Sequence, residues 1–226
     1  MDTLCRAVVD GDGRAAKRII DAAPAVVRAR FERDRLVAAI PHWLYVGDTV
    51  LHLAAAALNV PAARYILDAG ADPNAQNRRG ATPLHYACDP RPASGGVWNP
   101  RRQTEMIGHL LEHGADIERA DRGGATPLHR AVRARSPAAV RRLLEAGAQV
   151  HCRLGKGGST PLHLAVQATG AGGTAGAVDE QLAIIGLLLN HGADPKSRDA
   201  RGKSVHDWAK RARIRDALRF SARGGL

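Results

Sequence analysis

Ten histidines and three cysteines are the residues of this chain best equipped to hold a metal or serve a nucleophile. His52, His85, His129 and His163 fall at intervals of 33, 44 and 34 residues. Groups separated so regularly fill one place in successive units of structure and do not converge on one ion. His113 and His191 share a second such place, before Gly114 and Gly192, while His42 and His109 stand alone. His151-Cys152 pairs two ligand types, but no partner lies close in sequence to complete a coordination sphere. Leu154-Gly155-Lys156-Gly157-Gly158-Ser159-Thr160 has the composition of a phosphate loop without the G-x-x-x-x-G-K-[ST] spacing or the preceding strand. No G-x-S-x-G, no H-E-x-x-H and no paired-carboxylate arrangement occurs. The expectation is a chain with no catalytic residue, no metal ligand set and no cofactor.

The elements that place these histidines announce themselves as a repeat. The phrases Asp48-Thr49-Val50-Leu51-His52-Leu53-Ala54, Ala81-Thr82-Pro83-Leu84-His85-Tyr86-Ala87, Ala125-Thr126-Pro127-Leu128-His129-Arg130-Ala131 and Ser159-Thr160-Pro161-Leu162-His163-Leu164-Ala165 recur in order. A worn copy follows at Lys203 to Ala209. A second phrase, leucine followed three residues later by Gly70, Gly114, Gly147 or Gly192, stands before the later copies. The threonines, Thr82 among them, sit where a hydroxyl caps a helix, and the prolines after them fit the first helical position. The glycines close the last turn of a second helix.

These phrases resemble the ankyrin repeat, whose period is about 33 residues and whose signature is T-P-L-H-x-A. The resemblance implies an all-α solenoid of stacked helix-turn-helix units with projecting hairpins, about six units including degenerate caps. It reads as a single domain over 1–226, with an N-terminal capping unit at 1–47, four clear repeats at 48–202 and a degenerate cap at 203–226. His52, His85, His129 and His163 then carry structural hydrogen bonds to neighbouring units. One unit has too little apolar area to fold alone, so neighbours must stack. In the capping unit, Leu4 to Val9 and Arg14 to Ala23 read as two short helices, and Arg28 to Gly47 reads as an extended, aromatic-bearing hairpin that contains a helix-like stretch, Glu32 to Ile40.

Composition sets the context. Gly and Pro make up 36 of 226 residues, below the roughly 25–30% of low-complexity chains. The apolar run Leu182 to Leu189 is far shorter than the roughly 20 residues of a membrane-spanning helix. Met1 to Arg6 has no leader-like pattern. Three widely spaced cysteines offer no disulfide framework, and the expectation is a cytoplasmic chain with no membrane association. The formal net charge of +11 comes from 33 Lys and Arg against 22 Asp and Glu, mostly arginine. It raises nucleic-acid binding as an alternative, against which few aromatics are available to stack bases.

Two of the intervals are 44 residues long and hold insertions at 89–102 and 170–179, both between a first and a second helix. Trp98 stands in the first, beside Arg101 and Arg102, either as a contact or folded back onto a helix. Phe31, Trp43 and Tyr45 read as packing over the first unit more readily than as a contact surface.

The solenoid implies a surface of hairpin tips and exposed first helices that holds a protein partner. On successive hairpins it would present Arg78 and Arg79, Arg119 and Arg122, Arg153 and Lys156, and Arg198 and Arg201. On the first helices it would present Tyr86, Arg130, Arg133 and Gln167. Guanidinium groups in a row suit an acidic partner, since each grips a carboxylate with two parallel bonds. The expected function is a non-catalytic, monomeric adaptor or scaffold for an acidic protein; nucleic-acid binding through the same arginines and delivery into another cell as an effector are the alternatives.

Overall fold

A computed structural model of the chain describes residues 2–37, 42–89, 99–167 and 178–221. The Trp98 expectation lies outside the described residues, as does most of the second insertion. The described residues hold six helix pairs, the number the repeats predict, in two compact units, Met1–Arg122 and Gly123–Leu226. The first unit contains α1 (Asp2–Val9) with α2 (Gly13–Ala22), α3 (Val50–Ala56) with α4 (Val60–Asp68), and α5 (Pro83–Cys88) with α6 (Pro100–Glu112). The second contains α7 (Pro127–Arg133) with α8 (Pro137–Glu145), α9 (Pro161–Val166) with α10 (Val178–Asn190), and α11 (Val205–Trp208) with α12 (Ala212–Ser221). Within each unit, first helices pack on first helices and second on second. Leu51, Leu84, Leu128 and Leu162, the leucines of the recurring phrase, are fully or almost fully buried between them.

Four first helices, α3, α5, α7 and α9, begin with the same exchange. The backbone N–H of Thr49, Thr82, Thr126 and Thr160 donates to Nδ1 of the histidine three residues on, at 3.0–3.2 Å. The threonine hydroxyl lies 2.8–3.1 Å from that same nitrogen. This is a capping box with His in the place usually taken by Glu or Gln. Because Nδ1 accepts, the ring proton sits on Nε2. His52 Nε2 donates to the Ala81 carbonyl at 3.1 Å and His163 Nε2 to the Lys203 carbonyl at 3.3 Å. One neutral imidazole thus starts its own helix and ties down the next hairpin. In the worn copy Asp207 replaces the histidine, and its carboxylate accepts from the Ser204 N–H at 2.7 Å. That keeps the cap, and among the described residues no further hairpin follows for a second nitrogen to reach.

Five of the six turns between paired helices fall into two forms. In the tight form, the N–H of the residue capping the second helix donates to a carbonyl near the end of the first: Asp12 to Ala7, Asn59 to Ala54 and Ser136 to Ala131. The tight turn places Leu58 and Arg135 in the left-handed region, at φ 50° and 58°, at a cost of about 1 kcal/mol each. In the two repeats with insertions the described residues show a different donor. The equivalent carbonyls, Ala87 and Ala165, accept instead from the buried side-chain amides of Gln103 at 2.9 Å and Gln181 at 2.7 Å.

The capping unit has two helices followed by an extended hairpin, and it departs from the sequence expectation in the helix-like reading of 32–40. The stretch 32–40 is not helical where described. Strands β1 (Arg35–Val37) and β2 (His42–Leu44) form an antiparallel hairpin, with Leu36 opposite Trp43. Burial of Leu44 and strand pairing outweigh the helix-favouring composition of 32–40.

Candidate functional site

The hairpins between repeats are built from short-range hydrogen bonds and then joined to one another through the backbone. In the second hairpin of the first unit, Asn77 N–H donates to the Ala81 carbonyl and Gly80 N–H to the Asn77 carbonyl. The Asn77 Oδ1 accepts from Arg79 and Ala81 N–H at 2.8 and 3.1 Å. Asp199 does the same for Arg201 and Lys203 in the second unit. Adjacent tips are then coupled. Arg78 N–H donates to the Val46 carbonyl at 2.8 Å and Arg122 N–H to the Arg79 carbonyl at 2.9 Å. In the second unit Ala200 N–H donates to the Gly157 carbonyl at 3.0 Å. The tips of each unit therefore form a continuous row. The row is tight: a Cβ on Gly80 would lie 2.8 Å from the Arg122 nitrogen, and one on Gly124 would lie 2.3 Å from that of Gly155.

Along this row in the first unit, the structure brings Arg78, Arg79 and Arg122 together, all exposed. Arg79 lies over the Tyr45 ring at 4.3 Å, and Arg78 pairs with Asp34 while standing 5.6 Å from the same ring. Arg119 is exposed and pairs with Asp116 at 3.3 Å. In the second unit, Lys156 and Arg201 project from neighbouring tips and Arg133 is exposed on α7. Arg130 and Gln167 are half-buried, and the Gln167 carbonyl accepts from Gln181 at 2.9 Å.

Three expected contact residues prove to serve the fold. Tyr86 does not face outward; it is 4% exposed. Its hydroxyl donates to the buried Asp48 carboxylate at 2.7 Å and accepts from the Asn77 amide at 3.1 Å. Burial, and then the Asp48 charge beside it, push the Tyr86 phenol far above its ordinary pKa. Asp48 also accepts from the Asn77 amide at 2.9 Å and from the Tyr45 N–H at 2.6 Å. Arg153 and Arg198 hold hairpins. Arg153 donates to the carbonyls of Gly158 and Arg198, both at 2.9 Å, and Arg198 donates to that of Gly202 at 2.6 Å. Arg30 makes the matching bonds in the first unit, to Gly47 and Gln76. These three arginines are exposed in part, yet their geometry is fixed by backbone acceptors.

Trp208, at the position equivalent to Tyr86, repeats the arrangement: its indole N–H donates to Asp199 at 3.0 Å. Burial raises the Asp199 pKa, but the Lys203 and Arg201 N–H groups and this indole outweigh that and hold it below the ordinary value. Burial lowers the His163 pKa, as expected for an imidazole kept neutral between a cap and a carbonyl. Cys152 lies with its sulfur 3.7 Å from His129 Nδ1 and 3.5 Å from the Thr126 hydroxyl, while His151 is exposed. Among the described residues no group of three or more His, Cys, Asp or Glu is placed to hold a metal ion.

Comparison with known proteins agrees with the geometry. Residues 99–199 match the family model described as "Ankyrin repeats (3 copies)", and residues 51–89 match "Ankyrin repeats (many copies)". The chain is an ankyrin-repeat protein. It is 52% identical over 46 residues to human neurogenic locus notch homolog protein 4, and 56% identical over 41 residues to the neurogenic locus Notch protein of Drosophila melanogaster. Those matches cover 20% and 18% of this ankyrin-repeat chain, and the chain spans about 2% of the length of either relative. Ankyrin repeats mediate protein–protein interaction. Among the described residues no helix is long and apolar enough to cross a membrane.

Gln103, Gln181, Arg30, Arg135 and Asp48 escape the sequence reading. One signal was available. Gln103 and Gln181 each lie 21 residues after the capping threonine of their repeat, Thr82 and Thr160, and both repeats carry an insertion.

Proposed function

We infer that this chain is a non-catalytic binding module that holds an acidic protein partner on its hairpin tips and the exposed residues of its first helices. The observation carrying this reading is the backbone coupling of successive tips, Arg122 to Arg79 and Ala200 to Gly157. It fixes the main chain beneath Arg79, Arg122, Lys156 and Arg201, so their cations are presented at little further cost in backbone order. Burial of Tyr86 and the hairpin bonds of Arg153 and Arg198 remove those three from the contact set. Arg78, Arg119, Arg130, Arg133 and Gln167 remain as secondary contacts, with Arg78 and Arg119 already part-neutralised by Asp34 and Asp116. The partner would be met in the cytoplasm.

Affinity capture with the wild-type chain beside an Arg79→Ala/Arg122→Ala/Lys156→Ala/Arg201→Ala variant tests this. Proteins retained by the wild type and lost by the variant support the surface. Equal recovery by both removes it. Recovery dominated by nucleic acid, with affinity falling steeply as salt rises, would favour the alternative partner class.

A further inference from the structure

The β1–β2 hairpin carries a feature that the repeat fold does not require. Its inner face is occupied: Leu44 is fully buried, and the Arg35 guanidinium lies 4.5 Å from the Phe31 ring centroid and bonds Asp2 at 2.9 Å. Its outer face shows Leu36 and Trp43, directly opposed in register and 54% and 49% exposed. They are the two large apolar side chains left exposed among the described residues. Tyr45 follows Trp43 by two residues along the chain, and the Arg79 guanidinium covers its ring at 4.3 Å. Arg122 is bonded through its backbone to Arg79. Among the described residues no carboxylate pairs with the side chain of Arg79 or of Arg122, although Arg35, Arg78 and Arg119 each have one.

An exposed apolar pair and, two residues further along the chain at Tyr45, two cations without a carboxylate partner among the described residues thus belong to the first unit. We propose that Leu36 and Trp43, with Arg79 and Arg122, form the anchor site for a short acidic segment of a partner protein that carries one bulky apolar side chain. The apolar residue packs against Leu36 and Trp43 while neighbouring carboxylates reach the two guanidinium groups. A segment with acidic residues alone leaves the tryptophan wet, and an apolar segment without them leaves the cations unpaired; the pairing of both features gives the site its selectivity. The proposal rests on the protein-binding reading above and narrows it to one place and one ligand chemistry.

Selection of random 12-residue peptides displayed on phage, with the full chain as bait, tests the site. The selected peptides should combine several Asp or Glu with a Leu, Phe or Trp. A synthetic copy should shift the intrinsic tryptophan emission to shorter wavelength in the wild type and not in Trp43→Phe. Its affinity should fall about tenfold or more in Leu36→Ser/Trp43→Ala and in Arg79→Glu/Arg122→Glu, and stay unchanged in Arg141→Glu, an exposed position on α8 outside the contact set. Circular dichroism of each variant checks that the helices remain. Peptides without acidic residues, or affinity intact in either double variant, overturn the anchor site while the wider protein-binding reading stands. Failure to enrich any peptide removes a short linear segment as the ligand class, and the capture experiment then decides the wider reading separately.

Discussion

The side-chain amide of Gln181 donates to the main-chain carbonyl of Ala165 at 2.7 Å, where an uninterrupted repeat uses a backbone N–H. Gln103 and Ala87 form the same pair in the other long repeat. In both repeats that carry an insertion between the paired helices, a side-chain donor reaches this carbonyl. A buried glutamine on the second helix supplies it, which explains a polar residue at places occupied elsewhere by Ala63 and Val140. The chain tolerates two long insertions because the carbonyl left behind is satisfied from a different direction.

Replacing either glutamine by leucine keeps the apolar fit and strands the carbonyl. Each of Gln103→Leu and Gln181→Leu should destabilise the chain by roughly 1–3 kcal/mol in urea unfolding. The Gln181 variant should lose less, since Arg135 also donates to Ala165, at 3.0 Å. Loss from neither would show that the carbonyls find water or another donor.

Tyr86→Phe should cost roughly 1–3 kcal/mol, because the buried Asp48 carboxylate loses its hydroxyl donor. Arg122→Ala, at an exposed tip, should change stability by less than about 0.5 kcal/mol. Chemical denaturation of both separates residues that hold the fold from those free to meet a partner.

The contrast between these two residues shows what the sequence could reveal. The capping threonines, prolines and histidines are legible because each acts within one turn of helix, and their recurrence fixes register. Tyr86 is not, because its partner Asp48 lies 38 residues away and the position after the histidine is Leu53, Tyr86, Arg130 and Leu164 in successive copies. Asp48 itself was a readable clue, standing where the clear later copies have Ala81, Ala125 and Ser159. Residues 32–40 mislead because Glu, Arg, Leu and Ala favour helix locally, while the hairpin is decided by the burial of Leu44 beyond them. The exposed Leu36 and Trp43 follow from that pairing and are invisible without it.

Stability should fall as pH drops below about 6.5, the ordinary histidine value. The folded state holds His163 with a lowered pKa, so the unfolded chain takes up its proton first and is favoured as pH falls through the folded value. Urea unfolding at pH 7.5 and 5.5 should show this loss. A His163→Asn variant, which keeps an acceptor for the cap, should show a smaller difference between the two pH values. An unchanged difference would assign the pH dependence to other groups.

Gly124→Ala should unfold or severely weaken the second unit. Gly124 has φ +79° and its added Cβ would meet the Gly155 backbone at 2.3 Å; the left-handed conformation alone costs about 1–2 kcal/mol with a side chain. Gly147, with φ +91° and open space around its Cβ position, should lose only that conformational part on replacement by alanine. Thermal melts of the two variants separate the clash from the backbone cost.

A working surface on the coupled hairpin tips should be visible by hydrogen–deuterium exchange with and without a captured protein partner. Added protection over 42–47, 78–80 and 119–122 in the first unit, or over 155–158 and 198–202 in the second, is the predicted result. Protection confined to the opposite turns around Leu58 and Arg135, with the tips unchanged, would contradict it.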